Sequence, residues 1–557
     1  MALDLTQEQK AIGKKNYEQA VGDLSRREFM KKSMVAGAAV VPVSAAAYYG
    51  YQSWKGNKAV RTALIGCGDE GGVLIGDHNP EFNEIVAVVD PRPYNIERIF
   101  TGDPAPSPRK GLNNIYGKDV AAKIARYDSL SALLADKTKL GLEAVIIATP
   151  LHLHHPMVTQ CLKADLHVLS EKLMGRTIGL CKDMIRTAYQ TGKLLSIGHQ
   201  RHYSTLYAHA REVVESGILG DIKHIRALWH RNNSWLYDPK SEKLPLAAGF
   251  DIPYYRDGWC KPIYKMDADK LNNKELLKEL GYDSLEQLVR WRLFNSTGGG
   301  LMAELGSHQL DASSIFLGNV HPISVLGSGG KFFYGPGKND RQSDDSVFVT
   351  YEFPGKNHPT AGKGGTDKSD VVVVTYTSFN TNSFEKYGEC LMGSRGTMVV
   401  EEEKDVYLFK EAEPGKANSG GRDTNIVVTG EAKKANMESS STWGGGGGAA
   451  ISKDSKAPAW DSAVRGYRTE MEHFAYLVRK WDKGLGWAKK DGKFQQDVPH
   501  CHGEVAMADA ILALTANIAM KRDKEFKPMF GRIEFKPEWF NVDSPETPED
   551  LIQGGLA

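Results

Sequence analysis

The segment Thr62-Ala63-Leu64-Ile65-Gly66-Cys67-Gly68-Asp69-Glu70-Gly71-Gly72 runs from a short apolar strand into a glycine-rich turn, and a second apolar run, Ile85–Val89, ends at Asp90. In a strand–turn–helix unit the first glycine permits the tight turn, the second lets a pyrophosphate approach the backbone, and the third lets the helix pack on the strand. The N-terminus of the following helix attracts the phosphate charge. A carboxylate at position 90, 19 residues beyond Gly71, is placed to hold a pair of ribose hydroxyls. Gly66, Gly68, Gly71 and Asp90 therefore predict a dinucleotide site. The acid favours NAD because it repels a 2′-phosphate, and Arg92, two residues on, can offset that charge and leaves NADP open.

Further Val/Ile-rich runs follow: Ala144–Ala148 leads into Thr149-Pro150, His167–Leu169 into Ser170-Glu171-Lys172, and a helix over Thr177–Thr191 precedes a strand over Leu194–Ile197. Continuous apolar strands of this kind belong to a parallel sheet covered on both faces. Residues 58–200 thus read as a Rossmann domain. After a helix over about Ser204 to Ser216, longer alternating strands appear at Ile222–Trp229, Ser346–Phe353, Val371–Tyr376, Thr397–Val400 and Val406–Phe409. Strands joined without intervening helices predict an open, mainly antiparallel sheet, so the fold class is α/β with a second α/β domain over 201–500. Residues 236–288, 354–369 and 411–458 read as insertions, the last rich in Gly and Ser, and a helix from about Val498 to Met520 opens the closing stretch, 501–557.

The 557 residues leave room for two to four domains, and Lys+Arg 70 against Asp+Glu 69, with 41% hydrophobic residues, is an ordinary globular balance. No basic stripe calls for a nucleic-acid partner. The six cysteines are scattered without a C-x-x-C pair, and His500-x-His502 around Cys501 is accounted for by the helix start after Pro499, so no metal site is expected. Near the start, Ser25-Arg26-Arg27-Glu28-Phe29-Met30-Lys31 precedes an uncharged run from Ser33 to Trp54. Residues 1–57 resemble a twin-arginine export signal, implying the twin-arginine machinery as a partner and a periplasmic destination, with cleavage near Ala45-Ala46-Ala47 or retention as a membrane anchor as alternatives. That route carries folded proteins, which suits one that binds its cofactor in the cytoplasm.

Two further constellations carry chemistry. Glu171-Lys172 follows a strand of the Rossmann domain, where the carboxyl edge faces the cofactor crevice, and a lysine there can stabilise a developing alkoxide. Trp291-Arg292 precedes Gly298-Gly299-Gly300, and beyond them Glu304, His308 and Asp311 recur at i, i+4 and i+7, sharing one face of a regular helix. A histidine there can take a hydroxyl proton, with a carboxylate orienting it. Metal ligation by the Glu304/His308 pair and simple core packing of the histidine are the alternatives.

In their order along the chain, the glycine fingerprint, Thr149-Pro150 with His154, Glu171-Lys172, Trp291-Arg292, the triple glycine and His308 resemble the Gfo/Idh/MocA oxidoreductases over roughly residues 60–400. The resemblance implies tightly held NAD, a carbohydrate substrate and a homo-oligomer formed through the open sheet. It makes Lys172 and His308 the acid/base pair, brings Thr149, Pro150 and Glu171 towards the nicotinamide, and sets Trp291 and Arg292 along the crevice. Leu173 stands where a proline is usual, and Glu304 where an aspartate is commoner. Gly198-His199-Gln200-Arg201-His202-Tyr203 is similar to a segment that places a tyrosine near substrate in exported sugar oxidoreductases, so Tyr203 is a candidate proton donor or substrate contact, against ordinary packing. Three activities follow: oxidation of a secondary hydroxyl of a sugar, sugar acid or glycoside; net glycoside hydrolysis through transient redox on bound NAD; or sugar binding without catalysis.

Overall fold

The computed structural model describes residues 5–33, 45–51, 54, 57–104, 109–362, 364–411, 425–429, 436–440, 465–522 and 530–552. The apolar runs of the first half become β1 Val60–Ile65, β2 Asn83–Val89, β3 Ala125–Tyr127, β4 Ala144–Ile147, β5 His167–Glu171 and β6 Leu195–Gly198. They form one parallel sheet in the order β3-β2-β1-β4-β5-β6. All of β4 is buried, as continuous apolar strands require.

The second half builds an eight-stranded sheet from β7 Ile222–His230, β8 Ser324–Gly330, β9 Ser346–Pro354, β10 Val371–Phe379, β11 Tyr387–Gly393, β12 Gly396–Glu401 and β13 Asp405–Lys410, in the order β13-β12-β11-β7-β10-β9-β8 and closed by the short strand Ile533–Glu534. The sheet is antiparallel except at its centre, where β10 runs parallel to β7. β8 was not legible in the sequence because its glycines make room for a helix end: a Cβ on Gly327 or Gly329 would lie 2.7 Å from the Met520 side chain. Along β10 buried and half-buried residues alternate strictly. The buried face meets the helices, and the other is open, carrying Leu326, Phe348 and Met392, 51%, 43% and 38% exposed.

Five helices organise the whole: α1 Gln7–Ser33, α2 Asp69–Asp77, α3 Ser307–Leu317, α4 Tyr467–Lys480 and α5 Gly503–Ala519. α5 is apolar nearly all round and correspondingly buried. α4 returns to the Rossmann sheet, its Met471, Phe474 and Leu477 sharing a core with Leu64, Val88 and Ile146. The stretch before α5 extends that sheet: Ile197 donates its N–H to Cys501 O at 3.0 Å, and Ser196 pairs with His502. α1 lies along the β13 edge, where Lys14 pairs with Asp405 at 2.7 Å and Asn16 donates to Leu408 O at 3.1 Å. The side chains of Arg26 and Arg27 and all of residues 34–44 lie outside the described residues, as does most of the insertion 411–458. Among the described residues no helix is long and apolar enough to cross a membrane.

The insertion 236–288 is an ordered cap. Short helices Lys265–Leu271, Lys274–Glu279 and Leu285–Val289 close on their own core of Ile263, Leu271, Leu277, Tyr282, Leu285 and Leu288. The cap docks on the Rossmann domain through Arg92–Asp267, Lys270–Asp128 and Lys261–Asp69 ion pairs.

Candidate active site

Two of the fingerprint glycines are required by the fold, and the third faces open space. Gly66 sits at φ +94°, and a Cβ there would lie 2.4 Å from Ala148 O; a Cβ on Gly71 would lie 2.2 Å from Gly66 O. A Cβ on Gly68 would meet nothing within 4 Å. The open space at Gly68 adjoins the N-terminus of α2, and Arg98, Arg109 and Lys110 line the hollow beside it. Asp103 lines the same hollow and pairs with Arg98 at 2.6 Å and Arg109 at 3.6 Å, so the helix dipole is the feature that fits a pyrophosphate.

Asp90 is fixed at the end of β2. Its Oδ2 accepts from the Cys67 N–H at 2.8 Å and from Asn95 Nδ2 at 3.0 Å, and its Oδ1 accepts from the Arg92 N–H at 2.9 Å. The Arg92 charge acts on Asp90, and its guanidinium is also engaged by the cap. Its Nε donates to Asp267 Oδ2 at 2.9 Å, and Asp267 Oδ1 accepts from the Tyr94 N–H at 3.1 Å. The cap thus pairs the Arg92 guanidinium with a carboxylate, and Tyr282 of the same cap lies close enough to Asp90 for the carboxylate to act on its hydroxyl.

At the other end of the crevice, Lys172 Nζ donates to Glu304 O at 2.7 Å, and Glu304 Oε2 accepts from Arg292 Nε at 2.6 Å. The Arg292 guanidinium lies over the Trp291 ring, 4.1 Å from its centre. The peptide between Lys172 and Leu173 is cis. His154 bridges this turn to its neighbour, Nδ1 lying 2.8 Å from Leu173 O and Nε2 2.8 Å from Thr149 O. Pro150 opens the single turn Leu151–Leu153 that follows Thr149.

The regular helix expected over Glu304, His308 and Asp311 is interrupted. Met302–Gly306 form a π-helical turn before α3. The wider turn departs from the 3.6-residue repeat on which the shared face rested. Glu304 points to Arg292, and Asp311 Oδ1 accepts from His202 Nε2 at 2.6 Å, so neither acid orients His308. The His308 ring packs 5.4 Å from Trp229 and makes no hydrogen bond to a described residue. Tyr203 does not join the group either. It is fully buried, its hydroxyl accepting from the His500 N–H at 3.0 Å and its ring packed against Tyr49, His473 and His500.

Burial, reinforced by Lys172, Arg201 and His199, holds the His308 imidazole well below the ordinary histidine value, so it is neutral at neutral pH. Burial also lowers the Lys172 ammonium, against the pull of Glu304, Glu171 and Glu70. Glu304 stays ionised because Arg292 and Lys172 outweigh its burial, whereas burial and Glu70 push the Glu171 carboxyl well up. Glu70, an acid inside the glycine fingerprint, escaped sequence reasoning although its charge reaches Lys172 and Arg292. Thr149 Oγ1, Glu171 Oε1 and Glu70 Oε1 are buried without a hydrogen-bond partner among the described residues.

Open space at Gly68 beside a helix N-terminus and a fixed acid at Asp90 fit an NAD-binding oxidoreductase of the Rossmann class. Residues 60–199 match the model of the Gfo/Idh/MocA oxidoreductase family, NAD-binding Rossmann fold. A glycosyl hydrolase family 109 protein of Stenotrophomonas maltophilia is 26% identical over 266 residues, 46% of this chain and 53% of that protein. The match thus spans about half the length of that relative. The 2,7-anhydro-N-acetylneuraminate hydratase of Escherichia coli is 23% identical over 421 residues, 74% of this chain and 87% of that one. Two solved structures share the fold: the aldose-aldose oxidoreductase of Caulobacter crescentus complexed with glycerol (14% identity, 86% of this chain and 100% of that one, TM-score 0.50) and the WlbA dehydrogenase of Bordetella pertussis with NADH and UDP-GlcNAcA (15%, 86% and 98%, TM-score 0.50).

Proposed function

We propose that this protein oxidises a secondary hydroxyl of a sugar, sugar acid or glycoside, with Lys172 and His308 as its acid/base pair. The observation that carries the reading is a neutral His308 ring without a hydrogen-bond partner among the described residues, in electrostatic contact with the Lys172 amine. Gly68, the α2 N-terminus and Asp90 hold NAD, which when bound supplies the two-electron acceptor. His308 takes the hydroxyl proton, and Lys172 donates a hydrogen bond to the same oxygen as negative charge develops there. Arg292 and Glu304 hold the Lys172 side chain in place, the first through its ion pair with Glu304 and the second through its carbonyl.

The cap over Asp90 supports tight retention of the cofactor, and the arginine pair at 26 and 27 supports export with the cofactor already bound. A periplasmic enzyme has no free nicotinamide pool, so in this reading each oxidation is matched by a reduction in the same site. The apolar side chains on the open sheet face support a homo-oligomer. A second reading is favoured by the family 109 relatives from Stenotrophomonas maltophilia and Shewanella amazonensis: transient oxidation, loss of the aglycone and re-reduction, with net hydrolysis.

Mass spectrometry of the small molecule released on denaturation, with nicotinamide absorbance before and after adding sugars or aryl glycosides, tests both. NAD(H) that stays in the changed redox state supports oxidation, and aglycone release without lasting change supports hydrolysis. Lys172→Met is expected to retain NAD and lose roughly 10²–10⁴-fold in turnover. Undiminished turnover would remove Lys172 from the mechanism.

A further inference from the structure

Three elements distant in sequence meet in the interior beside this crevice: the segment after β6, α3 and α5. Each sends one titratable side chain to the junction, His199, Asp311 and Asp509, all at most 2% exposed. One ligating atom from each lies within 4.8 Å of the others. His199 Nδ1 stands 3.7 Å from Asp311 Oδ2, beyond hydrogen-bond length. Neither ring nitrogen of His199 has a hydrogen-bond partner among the described residues, and Asp509 Oδ2 has none either. A carboxylate oxygen of Asp311 and one of Asp509 lie within 4.8 Å of each other.

A buried imidazole with both nitrogens unpaired is costly, and so is a pair of buried carboxylates this close together. A single cation removes both costs. Tetrahedral coordination at about 2.0–2.2 Å places ligand atoms roughly 3.3–3.5 Å apart. The observed 3.7 Å is a few tenths of an ångström wider. Asp311 is also braced as a ligand would be, its second oxygen accepting from His202 Nε2 at 2.6 Å. One imidazole with two carboxylates suits a first-row transition ion better than calcium or magnesium. Sequence spacing gave no hint, because the three residues are more than a hundred positions apart from one another.

We propose that His199, Asp311 and Asp509 bind one divalent transition-metal ion, with zinc the best match, as a clamp that ties α3 and α5 to the end of the Rossmann sheet. Asp311 lies three positions after His308 on α3, so the clamp fixes the helix that presents the His308 imidazole while touching no substrate.

The test is elemental analysis of the full-chain protein, purified without chelator and desalted, followed by ZnCl₂ or MnCl₂ titration of chelator-treated protein with Tm as the readout. About one equivalent of metal per chain is expected, with Tm falling on chelation and recovering on re-addition. Asp509→Asn preserves shape and can still hydrogen-bond Asp311, and is expected to cut occupancy more than about tenfold and abolish the metal-dependent Tm rise; His199→Gln acts in the same direction. Parent protein that takes up less than about a tenth of an equivalent in excess ZnCl₂ and MnCl₂, with a Tm indifferent to chelator, overturns the proposal, as does Asp509→Asn that holds metal like the parent. If the variants do not fold, the parent's chelation and re-addition cycle decides alone. NAD content measured in the same samples separates failure of this site from failure of the cofactor reading.

Discussion

Asp267→Asn is expected to relax cofactor choice. Arg92 and Asp267 are 11% and 0% exposed at their side chains, so the pair is largely desolvated and the acid cancels the arginine's charge where a 2′-phosphate would lie. Replacing the carboxylate by an amide keeps the shape and the acceptor for Tyr94 but releases the guanidinium. A charge-assisted hydrogen bond from Arg92 to phosphate is worth about 1.5–3 kcal/mol. At about 1.4 kcal/mol per tenfold, NADP should bind roughly 10–100-fold tighter, with NAD nearly unchanged. Loss of one partner of a buried pair also destabilises the fold, by about 3 kcal/mol at the lower end of the usual range. Titrating cofactor-stripped parent and variant with NAD and NADP by tryptophan fluorescence gives the affinity ratio, and adding Arg92→Ala to the variant should erase the gain. An affinity ratio within about twofold of the parent's would show that Arg92 is not the group that Asp267 withholds.

The glycines of the fingerprint should separate by assay. Gly68→Ala, with open space before it, is expected to leave Tm unchanged and to weaken NAD binding about tenfold or more, whereas Gly71→Ala, whose methyl would collide with Gly66 O, should lose about 1–3 kcal/mol of stability. Equal effects of both on Tm would contradict this division. Glu389 offers a pH test: burial pushes its carboxyl to about 7 despite Arg201, with Tyr207 Oη donating to it at 3.0 Å and Gln309 Nε2 at 2.9 Å. The folded value is raised above the unfolded one, so its contribution is complete below about pH 4.3 and is lost as pH rises through about 7. Glu389→Gln cannot ionise, and urea unfolding should find it gaining up to about 3 kcal/mol on the parent between about pH 5 and pH 8; a difference that does not vary with pH would refute the assignment.

The Rossmann half was legible because its physics is local: buried parallel strands read as unbroken apolar runs, and the fingerprint glycines answer contacts within one turn. β3 was hidden because Ala-Arg-Tyr is three residues long and only partly buried. β11 was hidden by its glycines and by Glu389, a charged residue wholly inside the protein. At the site, residue types and order named Lys172, Glu304 and Arg292 as candidates, and the structure joins the three through hydrogen bonds to Glu304. Orientation was not foretold. The i, i+4 rule presumes an unbroken α-helix, and the π turn at Met302–Gly306 hands Glu304 to Arg292 and leaves His308 alone. Asp267 was out of reach for another reason. Nothing in an insertion's own sequence states which distant arginine it will neutralise.

The pairing of β6 with the stretch before α5 bears on how the chain is made. β6 is the outer strand of the Rossmann sheet, and its partner, His502, lies about 300 residues further on. At roughly 5–20 residues per second, a ribosome completes the first sheet about 15–60 s before the segment that closes its edge emerges. An exposed strand edge over that interval is a template for pairing with other chains. The nascent protein therefore spends about half of its synthesis with this edge of the first sheet open, and a segment in about the last tenth of the chain serves as a delayed seal.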